Sequence, residues 1–221
     1  MIPWETLDTA SIPDGGELRL KRRGGEYSIM LGGNELMNSR IYGSEEALAR
    51  LTIDRLAGQP RPAVLIGGLG MGFTLRAALA HLPDDATVTV AELVPAVVAW
   101  ARGPMADLHG GSLDDPRVTV WEGDVGEAIR SRHWDAMLLD VDNGPEGLSR
   151  SGNDALYDHG GLAAAYGAMQ PGGVLSVWSS GPDRAFARRL KQAGFVATEH
   201  VARARGKAGA RHVIWLAVRA A

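Results

Sequence analysis

Apolar residues fall into two alternating kinds of segment along most of this chain. Short continuous runs, such as AVLIG at 63–67 and AMLLD at 136–140, predict strands buried on both faces of a parallel sheet. Between them lie longer stretches whose apolar residues recur at helical spacing. The pattern predicts an α/β fold with strands at 63–67, 86–92, 117–121, 134–140 and 173–178 and helices near 72–82, 94–103, 124–131, 153–169 and 182–193.

Both ends of the chain show a hairpin pattern instead. Residues 18–31 form two short strand-like stretches on either side of Gly24-Gly25, which predicts an N-terminal β-hairpin. Residues 195–205 and 210–219 flank a turn at Gly206–Gly209 and predict an antiparallel pair that closes the main sheet. Parallel βα units followed by such a pair are typical of the Rossmann-like sheet of AdoMet-dependent methyltransferases.

A helix and a proline-rich junction separate the N-terminal segment from the main sheet. After an extended piece at 35–40, Ser44 is positioned to cap a helix that ends near Gly58. The junction Gln59-Pro60-Arg61-Pro62 follows directly. We therefore expect a small β-rich region with a helix at 1–58 and a Rossmann-like catalytic domain at 59–221.

The composition is that of a globular protein without disulfides. Of the 221 residues, 45% are hydrophobic and 22% are charged, and cysteine is absent. No apolar run approaches the roughly 20 residues that span a bilayer, and MIPWETLDTA lacks the layout of a signal peptide. The six histidines show no metal-like spacing. We expect a cytoplasmic protein with no membrane partner and no metal.

The net charge of −3 hides a strong asymmetry. From Arg184 to the end, nine Lys and Arg residues accompany one acid, Glu199, so this segment carries about +8 and the remainder about −11. A basic segment can bind nucleic acid. The alternative is a solvated helix face plus a charged hairpin tip, and on this interpretation we do not expect a nucleic-acid partner.

Glycines and acids occur at the ends of the first three strands of the predicted sheet. The first strand runs into a glycine-dense turn, the second ends at Glu92, and Asp124 and Val125 follow the third. Ligands of doubly wound sheets bind at these carboxyl ends, where glycines admit close approach and carboxylates accept hydrogen bonds from ribose or adenine. The alternative to ligand binding is that the glycines only form turns, that Glu92 is a solvated strand end, and that Asp124 only caps the next helix. We predict a site for a nucleoside-bearing cofactor that includes the turn residues Gly67, Gly68, Gly70 and Gly72.

The fourth strand ends in a cluster of acids. Asp140 is its last residue, and Asp142 and Glu146 follow in the loop. Asp140 and Asp142 are the candidate catalytic residues, Asp140 as the general base for an amine and Asp142 to steer or help to hold it. Asp142 and Glu146 are also candidates to bind a positively charged substrate. Tyr157 is a candidate aromatic wall of the same pocket, and a buried core tyrosine is the other interpretation. These acids favour a small cationic substrate over RNA phosphates.

Several of these motifs resemble the spermidine synthase (polyamine aminopropyltransferase) family along most of residues 62–178. The shared features are VLIGGLGMG, the DPRV at 115–118, the Gly123-Asp124 pair, and the aspartate-rich strand end that finishes in Gly-Pro. The resemblance implies a homodimer and a donor of the AdoMet, decarboxylated AdoMet or methylthioadenosine type. It also implies that Glu92 binds the ribose, that Asp124 contacts the adenine, and that Asp140 deprotonates the attacking amine.

The chain departs from that family at three places. Where the family's turn reads GGGDGG, this chain has Gly70 at the position of the aspartate. Where the family's active-site loop reads D-S-S-D-P, this chain reads Asp140-Val-Asp142-Asn-Gly-Pro. Where the family has a Tyr-His-Glu signature near the N-terminal helix, this chain has Ser44-Glu45-Glu46. Losing the turn aspartate removes a charge that would repel the carboxylate of intact AdoMet. These differences favour methyl transfer from AdoMet to a small amine, with aminopropyl transfer from decarboxylated AdoMet as the alternative. A non-catalytic or RNA-facing nucleoside-binding protein is the third hypothesis.

Overall fold

Two β-sheets frame the protein in a computed structural model, which describes residues 2–13, 15–141, 144–145, 155–205 and 208–220. In the smaller sheet every neighbouring pair is antiparallel. The predicted hairpin at 18–31 is present, whereas the first strand was not predicted because most of its side chains are exposed and show no apolar alternation. The strands of this sheet are, in spatial order, β1 (Glu5–Ser11), β2 (Glu17–Arg23), β3 (Glu26–Leu31) and β4 (Asn34–Asn38).

The larger sheet has seven strands in the described part of the chain, in the order β10-β11-β9-β8-β5-β6-β7. Strands β5 to β9 pair in parallel, and β11 runs antiparallel to both β9 and β10. This is the predicted Rossmann-like sheet with its terminal antiparallel pair. The strands are β5 (Ala63–Gly67), β6 (Thr87–Glu92), β7 (Val118–Glu122), β8 (Trp134–Leu139), β9 (Met169–Ser179), β10 (Phe195–Arg205) and β11 (Ala208–Arg219).

Helices cover both faces of the larger sheet, which explains its continuous apolar strands. Helices α1 to α3 and the smaller sheet pack on the face that includes Val64 and Ile66, while α5 to α7 pack on the face that includes Leu65 and Met137. The helices are α1 (Gly43–Ile53), α2 (Phe73–Leu79), α3 (Pro95–Arg102), α4 (Ala106–His109), α5 (Val125–Ser131), α6 (His159–Ala168) and α7 (Arg184–Gln192). None of the described helices combines the length and apolarity needed to cross a bilayer.

Two details of the predicted helices are wrong. Helix α6 begins at His159 because Asp158 has an extended backbone and its side chain accepts a hydrogen bond from the Gly161 N–H at 2.8 Å. The predicted helix over 153–169 is therefore interrupted at an N-cap. Ser44 lies inside α1 and does not cap it; Tyr42 occupies the N-cap position, without a side-chain cap bond.

The smaller sheet is attached to the larger one by packing and by hydrogen bonds. The Trp100 indole on α3 donates to the Asp8 carboxylate at 2.6 Å, and the Tyr27 hydroxyl donates to the Pro104 carbonyl at 2.5 Å. Buried Leu20 and Ile29 belong to the same hydrophobic core as the helices α1 to α3. This attachment places the smaller sheet beside the carboxyl ends of β5, β6, β7 and β8.

Candidate active site

A cavity of about 380 Å³ lies between the smaller sheet and the carboxyl ends of the parallel strands. Most of its lining is apolar, and the smaller sheet contributes Leu18, Ile29 and Leu31. Among the described lining residues, four carboxyl side chains interrupt the apolar surface, at Glu45, Glu92, Asp124 and Asp140. A cavity of this size with a few convergent polar groups is suited to a small organic ligand.

The glycine-dense turn after β5 is packed too tightly for larger residues. A Cβ on Gly68 would lie 2.5 Å from the Asp140 carbonyl oxygen, and the φ of Gly68 is +90°. A Cβ on Gly67 would lie 2.8 Å from Cγ2 of Val125, so Val125 supports the turn from α5. Gly72 also has a positive φ, of +77°, and lies against the buried ring of His109. Gly68 lines the cavity, whereas Gly67 and Gly72 are not among its described lining residues and pack against Val125 and His109.

Gly70 is covered by the smaller sheet. A Cβ on Gly70 would meet the Sδ and Cε atoms of Met37 at 2.7 Å, and the φ of Gly70 is +49°. Met37 belongs to β4 and also lines the cavity. The position expected to carry an aspartate in the resembled family is thus occupied here by a glycine under a thioether side chain.

Glu92 is fixed at the end of β6 with only 9% of its surface exposed. One carboxylate oxygen accepts a hydrogen bond from the Leu69 N–H at 3.1 Å, and the other accepts one from the Val94 N–H at 2.9 Å. Burial raises the pKa of Glu92, and these backbone bonds oppose that rise. The Gly70 and Leu93 N–H groups also lower the pKa of Glu92 through hydrogen bonds, so backbone donors hold this carboxylate in place at the cavity.

Asp124 caps α5 and lines the cavity at the same time. Its Oδ1 atom accepts hydrogen bonds from the N–H groups of Gly126 at 2.7 Å and Glu127 at 3.2 Å. Both backbone bonds go to Oδ1, which leaves Oδ2 able to accept from a ligand amino group. The helix-capping interpretation of Asp124 therefore holds, and it is compatible with ligand binding.

Asp140 follows β8, contacts the glycine-dense turn and lines the cavity. Its N–H donates to the Gly67 carbonyl at 2.9 Å, and its Oδ2 accepts a hydrogen bond from the Thr74 hydroxyl at 2.6 Å. Burial raises the pKa of Asp140 to about 7; the negative charge of Glu45 adds to the rise, and the Thr74 bond opposes it. A carboxyl group with such a pKa exchanges protons near neutral pH, as a general base requires.

Comparisons with known proteins bear on this arrangement. No protein-family model matches the chain. The polyamine aminopropyltransferase of Mycobacterium tuberculosis is 30% identical over 197 residues, an alignment covering 83% of this chain and 36% of that protein. The protein of the same name from Aeropyrum pernix is 29% identical over 164 residues, covering 72% and 50%. The spermidine synthase of Thermotoga maritima shares the fold, with a TM-score of 0.77 over 97% of this chain and 72% of that one, at 20% identity.

A second solved structure, of spermidine synthase in complex with the transition-state analogue AdoDATO, aligns over the same shares of the two chains with a TM-score of 0.76 and 20% identity. The chain is spermidine synthase-like. It spans about a third of the length of the M. tuberculosis relative and half that of the A. pernix relative.

The structure brings only part of the predicted acidic rim of this spermidine synthase-like chain to the cavity. Asp140 is there, whereas Asp142 and Glu146 lie outside the described residues. Tyr157 is not among the described residues that line the cavity. Its side chain is 2% exposed and packs edge-to-face against Phe186 at 5.8 Å in the core between the sheet and α7, so the alternative interpretation as a core tyrosine describes its position.

Sequence reasoning did not assign a role to Glu45. This residue lies in the first turn of α1, lines the cavity and is close enough to Asp140 to raise its pKa. Burial raises the pKa of Glu45 as well, against the effect of a hydrogen bond from Ser44. The only signal in the sequence was the acidic Ser44-Glu45-Glu46 where the resembled family has a different motif.

Proposed function

We propose that this chain transfers an aminopropyl group from decarboxylated AdoMet to a small amine. The observation that carries the proposal is the position of Asp140, a half-buried carboxyl group that shares one cavity with Glu92 and Asp124. Such a cavity provides a place for a nucleoside and, beside it, a base for an amine. The names of the sequence relatives support the same activity.

The described residues fit a nucleoside sulfonium donor. Gly68 and Gly70 line the cavity without side chains, Glu92 places a carboxylate there for the ribose hydroxyls, and Oδ2 of Asp124 can accept from the adenine amino group. When bound, the donor supplies a carbon activated by a sulfur that leaves as a neutral thioether. The protein's contribution is to orient the two reactants and exclude water.

Asp140 would take the proton that the amine loses. In the transfer, the amine nitrogen forms a bond to the carbon next to sulfur, the carbon–sulfur bond breaks, and one N–H proton passes to the Asp140 carboxylate. Thr74 keeps one oxygen of that carboxylate in place through its 2.6 Å hydrogen bond. The apolar walls exclude water and so strengthen the attraction between the carboxylate and the ammonium form of the amine.

Methyl transfer from intact AdoMet is the second candidate, and it rests on one observation. Gly70 carries no side-chain charge at the turn, so nothing there repels a donor carboxylate. Against it, Glu45 and Asp140 add two carboxyl groups to a cavity whose described lining contains no lysine or arginine. A carboxylate on the donor would meet these groups without a cation to balance it.

Donor preference separates the two candidates. We expect decarboxylated AdoMet to bind at least about tenfold more tightly than AdoMet, equivalent to about 1.4 kcal/mol. Isothermal titration calorimetry with each donor, followed by mass spectrometry of the products formed with 1,4-diaminobutane, measures both binding and transfer. Tighter binding of AdoMet together with methylated product would establish the second candidate, and binding of neither donor would contradict both.

The pH dependence of transfer reports on Asp140. Its carboxyl group acts as a base only when deprotonated, so kcat/KM should rise with pH through an apparent pKa near 7. Thr74→Val removes the hydrogen bond that lowers this pKa, and the rise should therefore move to higher pH. Steady-state rates from pH 5.5 to 9 test this. An unchanged midpoint in the Thr74→Val variant would show that another group controls the rate.

A further inference from the structure

We propose that Glu45 and Asp140 together bind one primary ammonium group, and that Glu45 thereby selects amine-bearing substrates over otherwise identical neutral ones. The inference rests on the proposed function and assigns within it a residue from the N-terminal helix α1. It concerns a side chain that belongs to neither the glycine turn nor the acidic loop.

Glu45 is held in the cavity by neighbouring polar side chains. The Ser44 hydroxyl donates to one of its carboxylate oxygens at 2.6 Å. Nδ1 of His212, on β11, lies 2.9 Å from the same Ser44 oxygen. Since the Ser44 hydroxyl has a single proton and gives it to Glu45, the bond from His212 requires a proton on Nδ1.

The far end of this chain of hydrogen bonds is also fixed. The His212 ring packs edge-on against Trp178, with ring centroids 4.7 Å apart, and both residues line the cavity. Burial lowers the pKa of His212, so the ring is neutral near pH 7 and adds no positive charge beside Glu45. The arrangement orients the carboxylate of Glu45 without neutralising it.

Two carboxyl groups in one largely apolar cavity repel each other unless a proton or a cation lies between them. The described lining supplies no lysine or arginine for that purpose. A primary ammonium group matches the requirement because it has three donors and a full positive charge. Binding it would replace the repulsion between Glu45 and Asp140 by two charge-assisted hydrogen bonds.

The packing of the smaller sheet on the glycine turn explains why α1, and not the turn, supplies a carboxylate for the ammonium group. Met37 lies over Gly70, so the glycine turn presents no carboxylate at that point. Glu45, in the first turn of α1, adds a carboxylate to the same cavity. The charge that the turn lacks is therefore supplied by a different element.

The ammonium group can belong to the donor or to the acceptor, and calorimetry with Glu45→Gln distinguishes them. The matched control is Glu46→Gln, because Glu46 is the next residue of the same helix turn and is exposed. The probes are decarboxylated AdoMet, methylthioadenosine, which lacks the ammonium group, and 1,4-diaminobutane added to the methylthioadenosine complex. We expect Glu45→Gln to weaken one ammonium-bearing probe by about 10- to 100-fold, the range for a hydrogen bond between charged groups.

Each result has a distinct meaning. Weaker binding of decarboxylated AdoMet with unchanged methylthioadenosine assigns the site to the donor, and weaker binding of the diamine alone assigns it to the acceptor. A weakening of methylthioadenosine equal to that of the other probes, or equal affinities in Glu45→Gln and Glu46→Gln, would overturn the inference.

A second variant keeps the test decisive if Glu45→Gln is unstable. Ser44→Ala leaves the charge but removes its orientation, and should weaken the same probe several-fold. Wild-type protein that transfers aminopropyl groups while Glu45→Gln behaves like its control would disprove the role of Glu45 alone. Wild-type protein that binds no donor would instead disprove the proposed function.

Discussion

Replacing Asp140 by asparagine is expected to reduce the rate of group transfer far more than the affinity for the donor. Asparagine has nearly the same shape, and its amide oxygen can still accept the Thr74 hydrogen bond. It cannot accept a proton from an amine at neutral pH, so kcat should fall by about 10²- to 10⁴-fold, the usual contribution of a general base. Rates with saturating donor and diamine measure the loss, and calorimetry measures donor affinity.

The matched control for this variant is Glu199→Gln, which neutralises an exposed carboxylate on β10. Its rate should equal that of wild type. Retention of more than a tenth of wild-type kcat by Asp140→Asn would rule out Asp140 as the base. Asp142 and Glu146 would then be the next candidates. A parallel loss of donor affinity would show that Asp140 chiefly binds the donor.

The fold could be predicted because its strands are short, continuous and buried on both faces. Strands such as β5 and β8 leave little ambiguity, since helices cover both sides of a parallel sheet. The positions of Glu92 and Asp124 followed from the same pattern, because the carboxyl ends of parallel strands lie at one edge. What the sequence predicted well was therefore the part of the cavity that the parallel sheet builds.

The part of the cavity built by the N-terminal region could not be predicted in the same way. Strand β1 has exposed side chains on most positions, so no hydrophobic pattern marks it. The contact of Met37 with Gly70 depends on how the smaller sheet docks, which no local pattern encodes. Glu45 was missed for a similar reason, since an acid in the first turn of a helix is ordinarily explained by the helix dipole.

The acidic residues after β8 illustrate a different difficulty. Sequence proximity placed Tyr157 beside Asp140, but Tyr157 packs under α7 against Phe186. Asp158, which has an extended backbone and caps α6, separates Tyr157 from that helix. Closeness along a loop therefore did not imply a shared pocket.

Gly68→Ala should have the largest effect of any substitution in the turn. Its Cβ would lie 2.5 Å from the Asp140 carbonyl oxygen, so the backbone of the turn or of Asp140 must move. A displacement of about 1 Å at a reacting group can cost about 100-fold in rate. We expect donor affinity and kcat to fall together, because the turn and the base share this contact. Calorimetry and steady-state kinetics on the same preparation measure both.

Gly58→Ala separates the close contact from the cost of the backbone conformation. Gly58 has nearly the same φ, +85° against +90° at Gly68, but no heavy atom lies within 4 Å of its would-be Cβ. A left-handed alanine costs about 1–2 kcal/mol at either position, which lowers the melting temperature in both variants. Only Gly68→Ala should also lose donor affinity and turnover. Equal kinetics in the two variants would mean that the turn at Gly68 does not form the donor site, because backbone strain alone would then account for both.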